Sequence, residues 1–339
     1  MNVFNELKPV KYRKAVISQK EKLFDRFKKE FPAVKRNIIL KNYTTFKIGG
    51  PAEYFFIADK KEDLLNIIKS AKKVKLPIFV LGGGSNLLVS DKGVKGLVVK
   101  LNNNNIELLK NNIILADAGV ELNKLVEFSI NHSLEGLEWA GGLPGSFGGA
   151  VRGNAGAFGG ETKDSVSEVQ ALDNNLNLKK FNVKQCQFSY RNSTFKKNSW
   201  PVVSAKIKLK KGDKKKLQEI ADSRKDYRKQ KHPLDFPNAG SIFKNVDLKE
   251  FSAKMKKDLA FVIKKDPFEV IPTAYLISEA GLKGIKVGKA QVSEKHPNFI
   301  INLGGARAVD VIKLIGIIKK KIKNKYNVNL ETEVQFLGF

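Results

Sequence analysis

The chain has 339 residues, of which 42% are hydrophobic, an ordinary fraction for a globular protein of two or three domains. Its one cysteine, Cys186, excludes an internal disulfide and a multi-cysteine metal site. No stretch of about 20 apolar residues predicts a membrane-spanning helix, and the charged first residues lack the apolar core of a secretory signal. We therefore expect a cytoplasmic protein with no metal centre and no membrane segment.

The chain is strongly basic, because 62 Lys and Arg residues against 34 Asp and Glu residues give a formal net charge of +28. Such a charge can attract nucleic acid or an anionic surface through long-range electrostatics. Only eight of the 62 are arginines, however, and the lysines are spread along the chain. Since arginine is preferred for paired hydrogen bonds to phosphates and bases, we interpret the charge as solvated surface and expect no nucleic-acid partner.

The apolar patterns predict strands and helices that alternate along the chain. Helices are predicted over residues 16–31, 63–75, 121–129, 214–231, 273–280 and 306–325. Strands are predicted over residues 54–57, 77–81, 96–101, 113–118, 166–172, 202–209, 298–302 and 330–337. The charged helix at 214–231 is expected to mark a domain boundary, and residues 273–337 have the order of a split βαβ unit.

Two glycine-rich segments stand out. The loop Gly82–Asn86 follows a predicted strand but lacks the spacing of a Rossmann or Walker A motif, so alone it favours a tight turn. Residues 141–160 include nine glycines, a density that we consider too high for a regular helix or strand. The interleaved apolar residues argue against a flexible linker there. Together the two segments predict loops whose backbone N–H groups hold a long diphosphate ligand such as a dinucleotide.

Three polar side chains are candidates for chemistry. Arg191 can hold a carboxylate or phosphate through two parallel hydrogen bonds, although a surface salt bridge is the plainer interpretation. Ser241 lies in a turn-like Ala-Gly-Ser sequence, and Glu333 lies in the last predicted strand. The histidines are far apart and form no metal-binding or triad motif, and Cys186 is expected to be a buried residue.

Seven segments nevertheless occur in an order that is typical of one family: NYTTFKIGGPAEYF (42–55), LGGGSNLLVSD (81–91), GLEWAGGLPGSFGGAVRGNAGAFGGE (136–161), YRNSTFK (190–196), FPNAGSIFKN (236–245), AGLKGIKVGKAQVSEKHPNFIINLGGA (280–306) and LETEVQFLG (330–338). Over roughly residues 40–338 the chain resembles the MurB family of UDP-N-acetylenolpyruvoylglucosamine reductases. It resembles the type II subclass, because the extra tyrosine-bearing substrate loop of the other subclass is missing.

The resemblance implies an α+β protein with an FAD-binding domain of the vanillyl-alcohol-oxidase/PCMH type, followed by a smaller C-terminal substrate-binding domain. The implied boundaries are a basic helical extension at 1–40, an FAD-binding domain of two subdomains at 41–212 and a C-terminal domain at 213–339. The last strand, 330–337, is expected to carry a catalytic glutamate.

The resemblance also implies the reaction. NADPH reduces a non-covalently bound FAD, which then reduces the enolpyruvyl ether of a UDP-sugar to the lactyl ether of UDP-N-acetylmuramate, a peptidoglycan precursor. The expected protein is a monomer without a membrane or nucleic-acid partner.

The family's functional residues carry over by position. Arg191 would pair with the substrate carboxylate, Ser241 would deliver a proton to C2, and a protonated Glu333 would donate a hydrogen bond to the enol form. The implied substrate-binding residues are Tyr190, Lys244 and Asn245. The implied FAD-binding residues are Gly82, Gly83, Gly84, Ser85, Asn86, Gly145, Ser146, Gly148, Gly149, Asn154 and Ala155.

The chain departs from the family pattern at three places. Gln335 stands where the family usually has arginine, which leaves a partner for Glu333 in question. Arg152 occupies a usually apolar position in the second glycine-rich segment, and a Lys-rich insertion at residues 246–270 is longer than in compact members.

Two other hypotheses stay open. One is an FAD oxidoreductase of the same domain type with a different substrate, against which the settings of Arg191, Ser241 and Glu333 argue. The other is a basic protein that binds nucleic acid or an anionic surface, which predicts salt-dependent DNA binding and no flavin.

Overall fold

The computed structural model describes residues 21–266 and 268–339. Its helices are α1 (residues 21–30), α2 (Lys61–Lys73), α3 (Leu122–Asn131), α4 (Phe147–Gly153), α5 (Val183–Cys186), α6 (Thr194–Lys197), α7 (Lys214–Lys231), α8 (Ala253–Asp258), α9 (Thr273–Glu279) and α10 (Ala308–Tyr326). Its strands are β1 (Lys35–Ile39), β2 (Pro51–Ala58), β3 (Ile78–Leu81), β4 (Leu87–Val89), β5 (Val94–Leu101), β6 (Ile106–Leu109), β7 (Ile113–Asp117), β8 (Leu134–Glu135), β9 (Gly156–Ala157), β10 (Gly160–Glu161), β11 (Val166–Leu172), β12 (Leu178–Asn182), β13 (Val202–Lys208), β14 (Lys210–Lys211), β15 (Asn238–Ser241), β16 (Val246–Asp247), β17 (Val270–Ile271), β18 (Lys286–Val287), β19 (Ala290–Val292), β20 (Phe299–Asn302) and β21 (Gln335–Leu337).

The first sheet of the N-terminal domain has the order β1-β2-β5-β3, with β2, β5 and β3 parallel and β1 antiparallel at the edge. Both of its faces are buried. Tyr54 and Phe56 of β2 point into the main core of the domain, whereas Phe55 packs into a second cluster together with Leu337 from the end of the chain. Burial on both sides explains the apolar run at the centre of β2, which the sequence predicted as a strand.

The second sheet is antiparallel, with the order β12-β11-β13-β7-β6, and shares one continuous core with the first. Helix α4 packs on β13 and β7 of this sheet, and α3 packs against α4. Helix α7 has the predicted bounds and contacts α3, so that Leu217 and Ala221 join this same core. The predicted boundary helix thus packs on the domain that precedes it.

The start of the described chain also belongs to this domain. Residues 16–20 of the predicted helix 16–31, like residues 1–20 of the predicted extension, lie outside the described residues. Phe27 and Val34 are buried in the main core, and β1 pairs with β2, with Lys35 opposite Phe55. The part of the extension that the structure describes is therefore integrated into the N-terminal domain.

Helix α4 corrects one prediction, because it lies inside the segment whose glycine density was judged incompatible with a helix. Ser146 caps its N-terminus, where its hydroxyl accepts a hydrogen bond from the Gly149 N–H at 3.3 Å. Gly148 faces Ala118 so closely that a Cβ at Gly148 would lie 2.6 Å from the Ala118 Cβ. Tertiary packing and capping therefore outweigh the low helix propensity of glycine here.

The C-terminal domain is a four-stranded antiparallel sheet of order β15-β20-β19-β18, covered by α9 and α10. Helix α10 buries the apolar stripe that the sequence predicted, namely Val311, Leu314, Ile318 and Ile322. The bounds of α2, α3, α9 and α10 differ from the predicted ones by no more than two residues.

The end of the chain corrects a second prediction. The strand expected at 330–337 is shorter, since β21 spans only Gln335–Leu337, and it pairs in parallel with β4 of the N-terminal domain. Glu333 lies before this strand, and its backbone N–H donates to the Ile242 carbonyl at 2.8 Å. The chain thus crosses from one domain to the other directly after Glu333.

None of the helices within the described ranges has the length and apolarity that a membrane span requires.

Candidate active site

A cavity of about 960 Å³ lies between the two domains. The loop Gly82–Asn86 lines it from the N-terminal domain, and Ser241 lines it from the C-terminal domain. Arg191 and Glu333 line the same cavity. This volume lies at the upper end of the range for small-molecule sites, as a long ligand requires.

The two glycine-rich segments meet in the wall of this cavity. A Cβ on Gly83 would lie 2.7 Å from the Gly145 Cα, and a Cβ on Gly82 would lie 2.3 Å from the Ser146 Oγ. The hydroxyl of Ser85 donates across the contact to the Pro144 carbonyl at 3.2 Å. A side chain at Gly83 would force the two loop backbones apart, whereas one at Gly82 would displace the Ser146 hydroxyl.

The first of these loops fits an anionic group. Within residues 21–266 and 268–339, no hydrogen bond is donated by the backbone N–H groups of Gly83, Gly84 or Ser85. Gly84 has a φ of +64°, and a Cβ there would lie 2.2 Å from the Tyr43 carbonyl oxygen. Consecutive uncommitted N–H groups in a glycine loop form the kind of concavity that binds a pyrophosphate, so the residues present fit the expected FAD.

Of the expected FAD-binding residues, all but one line the cavity. The exception is Asn154, which is fully buried and ends α4 in the left-handed conformation, with a φ of +42°. Its amide donates to the Ser189 carbonyl at 3.1 Å, and its Oδ1 accepts from the Lys163 N–H at 3.0 Å. These bonds commit the Asn154 side chain to the protein itself.

The centre of the site is an ion pair. The Nε of Arg191 donates to the Oε1 of Glu333 at 2.9 Å, and its Nη2 donates to the Gly156 carbonyl at 2.8 Å. Arg191 has a φ of +54°, which is unusual for a residue with a side chain. The Lys196 ammonium donates to the Arg191 carbonyl at 2.9 Å and so holds this backbone from the other side.

Burial sets the proton affinities around this pair. It raises the pKa of Glu333 above its ordinary value of 4.5, and the opposing effect of the Arg191 charge is smaller. Burial also lowers the pKa of Lys196, and the positive charges of Lys244 and Arg152 lower it further. Glu333 is thus more readily protonated than an exposed glutamate.

The residues expected to bind the sugar nucleotide form a connected group. The Asn245 backbone N–H donates to the Tyr190 hydroxyl at 3.3 Å, and the Arg191 guanidinium lies 4.9 Å from the centre of the Tyr190 ring. Tyr190 and Asn245 line the cavity. Lys244 does not, and its ammonium pairs with the Glu331 carboxylate at 2.5 Å.

Ser241 is positioned by a tight corner at the end of β15. Gly240 before it has a φ of +75°, and its N–H donates to the Asn238 Oδ1 at 3.0 Å. Ser241 then pairs with Phe299 of β20, and its side chain borders the cavity. The Ala-Gly-Ser sequence therefore places Ser241 in the cavity wall through a conformation at Gly240 that favours glycine.

The side chain of Gln335 does not partner the Glu333 carboxylate. Its amide donates to the Glu333 backbone carbonyl at 3.0 Å, and the Asn86 side-chain amide donates to the same carbonyl at 3.1 Å. Arg191 is instead the partner of the carboxylate. With glutamine at position 335, the Glu333 backbone carbonyl is therefore hydrogen-bonded and the Glu333 carboxylate is paired with Arg191.

Sequence reasoning missed several residues of the cavity wall. Lys196 is the last residue of the YRNSTFK segment, so a signal for it was present. Arg228 is 6% exposed, and its Nε donates to the Gly141 carbonyl at 3.0 Å. His232 and His296 lie with their ring centres 5.3 Å apart, although 64 residues separate them in the sequence. No spacing rule predicts that contact.

Among the described residues there is no group of three or more His, Cys, Asp or Glu side chains that suits a metal ion.

Comparison with known proteins identifies the family. Residues 52–180 match a model of an FAD binding domain, and residues 232–337 match a model of the C-terminal domain of UDP-N-acetylenolpyruvoylglucosamine reductase. The protein of that name from Clostridium novyi (strain NT) is 40% identical over 305 residues, which cover 90% of this chain and 92% of the relative. The one from Syntrophomonas wolfei is 41% identical over 310 residues, 90% of this chain and 95% of the relative.

The chain belongs to the UDP-N-acetylenolpyruvoylglucosamine reductase family. The crystal structure of MurB from Thermus caldophilus superposes with a TM-score of 0.71 at 31% identity, over 90% of this chain and 98% of the other. The resemblance and the expected fold class are confirmed: an α+β reductase with an FAD-binding domain of the vanillyl-alcohol-oxidase/PCMH type, followed by a smaller C-terminal domain. The type II assignment stays a prediction.

Proposed function

We propose that this chain reduces UDP-N-acetylglucosamine enolpyruvate to UDP-N-acetylmuramate, a precursor of peptidoglycan, with NADPH as the reductant and FAD as the cofactor. The observation that carries the proposal is the convergence of Arg191, Ser241 and Glu333 on one cavity that the glycine loops also line. The reduction of an enol ether requires a site for hydride transfer. Beside it must lie a group that donates a proton and a pair of groups that stabilise the negative charge that develops.

The glycine loops hold FAD in this proposal. The uncommitted N–H groups of Gly83, Gly84 and Ser85 bind its pyrophosphate, and the facing loop from Gly145 to Gly149 closes against them. When bound, FAD supplies at the cavity the hydride that it has taken from NADPH. Reduction of the enolpyruvyl group at C3 would develop negative charge at C2 and on the adjacent carboxylate, which is where the side chains of this chain would act.

Arg191 and Glu333 stabilise that charge. Within the described ranges no hydrogen bond from the Nη1 of Arg191 is found, so this nitrogen is free to bind the substrate carboxylate. Burial favours the protonated form of Glu333, which donates a hydrogen bond to the enol form of the intermediate. Both groups then act most strongly where the charge forms.

Ser241 completes the reduction by giving its hydroxyl proton to C2. A serine hydroxyl is a weak acid, but a carbanion-like C2 is basic enough to accept its proton. The corner at Gly240 fixes the hydroxyl at the cavity wall. Tyr190 and Asn245 bind or orient the sugar nucleotide. Lys244 lies outside the cavity wall, and it contributes positive charge beside the cavity residue Lys196.

We further propose that the protein acts as a monomer in the cytoplasm. The proposed catalytic residues and the glycine loops of one chain already meet in one cavity, so the site needs no residue from a second copy. The basic residues Arg152 and Lys196 line the cavity and suit an anionic sugar nucleotide. The net charge of +28 can therefore attract this substrate, and it does not require a nucleic-acid partner.

The test is NADPH oxidation by the purified protein, with and without UDP-N-acetylglucosamine enolpyruvate, after its visible spectrum is recorded. We expect a yellow, FAD-containing protein that oxidises NADPH rapidly only when the enolpyruvate is present. A flavin spectrum without a response to this substrate would point to another oxidoreductase activity. A protein that cannot take up FAD would refute the proposal.

A further inference from the structure

The described residues of the Lys-rich insertion are an ordered part of the C-terminal domain. Its two ends meet, because β16 pairs with β17 and places Val246 opposite Ile271. Between them lies α8, and the side chains of Phe251 and Leu259 are buried in the core of the domain. A segment anchored in this way can carry side chains at defined positions.

The returning arm of the insertion reaches the N-terminal domain. Lys264 and Val270 exchange backbone hydrogen bonds at 2.9 and 2.8 Å, which close a tight loop. The Oδ2 of Asp266, in that loop, accepts from the Gly159 N–H at 2.8 Å. Gly159 connects β9 to β10, and both Lys264 and Asp266 line the cavity. The insertion thus bridges the two domains along the cavity wall.

Phe268 makes a second contact from the same arm. Its ring lies edge-to-face with the Tyr190 ring, with centres 5.2 Å apart and planes at 88°. The Arg191 guanidinium lies 4.9 Å from the centre of that tyrosine ring. Tyr190 is therefore held by the Phe268 ring, the Arg191 guanidinium and the N–H of Asn245. The first of these three groups belongs to the insertion.

Both contacts converge on Arg191. The β9–β10 hairpin, which Asp266 holds at Gly159, also supplies the Gly156 carbonyl that accepts from Arg191. Phe268 acts on the residue directly before Arg191 in the chain. Arg191 has a φ of +54°, a conformation that persists only when its surroundings fix it. The contacts of Asp266 and Phe268 therefore help to hold the Arg191 backbone and its guanidinium in position.

We infer that Asp266 and Phe268 are positioning residues that hold Tyr190 and Arg191 in the geometry that turnover of the UDP-sugar requires. The inference rests on the proposed function and adds to it a role for the insertion. Within the described ranges, Asp266 accepts from Gly159 and the Phe268 ring packs on Tyr190, so both side chains act on the side of the cavity where Tyr190 and Arg191 lie.

The experiment compares Phe268→Ala and Asp266→Ala with the parent in the holoenzyme. Removing one edge-to-face ring pair or one hydrogen bond is expected to lower kcat/KM for the UDP-sugar by roughly 3- to 10-fold. The dissociation constant of FAD is expected to stay within about twofold of the parent, since the pyrophosphate loop is not touched. Phe268→Tyr and Asp266→Asn keep the ring and an acceptor oxygen, so they are expected to restore kcat/KM.

A matched control is Phe261→Ala. Phe261 lies in the same insertion but is 75% exposed, and its ring packs on Tyr275. Its loss should leave kcat/KM unchanged. If Phe268→Ala does not fold, Phe268→Leu removes the aromatic edge and keeps an apolar side chain, and the same loss is expected.

The outcomes separate the inference from the proposed function. A parent that does not turn over the UDP-sugar overturns both. An active parent whose Phe268 and Asp266 variants keep its kcat/KM overturns the inference alone. An equal loss in Phe261→Ala also overturns it, because the insertion would then act only as a whole.

Discussion

The Nε of Arg191 and the Oε1 of Glu333 lie 2.9 Å apart, although 142 residues separate them in the chain. Arg191 belongs to the N-terminal domain, whereas Glu333 lies where the chain leaves the C-terminal domain for β21. Only 21% and 20% of the two side chains are exposed. A proton on Glu333 weakens this pair and leaves Arg191 more available to a substrate carboxylate, so that substrate binding and protonation of Glu333 are expected to favour each other.

Glu333→Gln tests the acid. Glutamine keeps the shape of the side chain and can accept from Arg191, but it cannot be protonated and deprotonated. We expect kcat for the UDP-sugar to fall by about 100-fold or more, with the FAD content unchanged. Glu107→Gln, at an exposed position in β6, removes a carboxylate far from the cavity and serves as the control. Full turnover in Glu333→Gln would exclude the proposed role.

The pH profile gives a second test of the same residue. Because burial raises the pKa of Glu333 above 4.5, its protonated form persists to higher pH than that of an exposed glutamate. We expect kcat/KM for the UDP-sugar to decline as the pH rises through this raised pKa. The residual activity of Glu333→Gln should lack that decline, and a parent profile that rises through the same range would contradict the assignment.

Ser241→Ala should separate the two half-reactions. The variant lacks the hydroxyl that protonates C2, so product formation is expected to fall by about 100-fold or more. Reduction of the bound FAD by NADPH does not need this proton and should be largely intact, which stopped-flow absorbance can follow. Ser223→Ala, at an exposed position in α7, is the control. If Ser241→Ala retains full turnover, the proton comes from another group.

The sequence predicted the regular elements well and the interdomain contacts poorly. Helix α10 was predicted because its apolar stripe has the helical period, and α7 has the predicted bounds. Helix α4 was missed because its stability comes from the cap at Ser146 and from packing on Ala118, which local propensity does not record. The strand at 330–337 was too long because only Gln335–Leu337 forms a continuous ladder, whereas Thr332 makes a single bridge to Phe243.

For the site, motif resemblance supplied the residue positions but not their mutual contacts. Arg191 was expected to pair with the substrate carboxylate and Glu333 to donate a hydrogen bond to the enol form, and the structure adds that the two side chains pair directly. Asn154 was expected at the cofactor, but its left-handed conformation turns its amide into the protein. Such contacts depend on how distant segments meet, and a spacing pattern does not contain that information.

Gly83→Ala tests the contact between the glycine loops. The added Cβ would lie 2.7 Å from the Gly145 Cα, so the backbone of one loop must move. We expect the dissociation constant of FAD to rise at least about tenfold and the free energy of unfolding to fall by about 1–3 kcal/mol. Gly316→Ala in α10 is the control, since nothing apart from the neighbouring backbone of α10 itself lies within 4 Å of its added Cβ. It should raise the free energy of unfolding by about 0.5–1 kcal/mol. Unchanged FAD binding in Gly83→Ala would show that the loops tolerate separation.

The two cavity histidines predict a loss of stability in mild acid. Burial lowers the pKa of both His232 and His296 to about 4, from an ordinary value of 6.5. Between these two pH values the unfolded chain binds protons that the folded chain does not, so the free energy of unfolding decreases as the pH falls from 6.5 towards 4. Allowing for partial exposure, we expect a loss of roughly 1–2 kcal/mol for each ring between pH 7 and pH 5, measured by urea unfolding.

His232→Phe isolates this effect, because phenylalanine keeps a ring against Phe299 but does not titrate. The loss of stability between pH 7 and pH 5 should be smaller in this variant than in the parent by the contribution of one ring. His132→Gln removes a histidine that lies outside this pair, with its Nδ1 2.8 Å from the Phe128 carbonyl, and serves as the control. An equal pH dependence in His232→Phe and the parent would mean that the folded protein accepts the proton at His232 without cost.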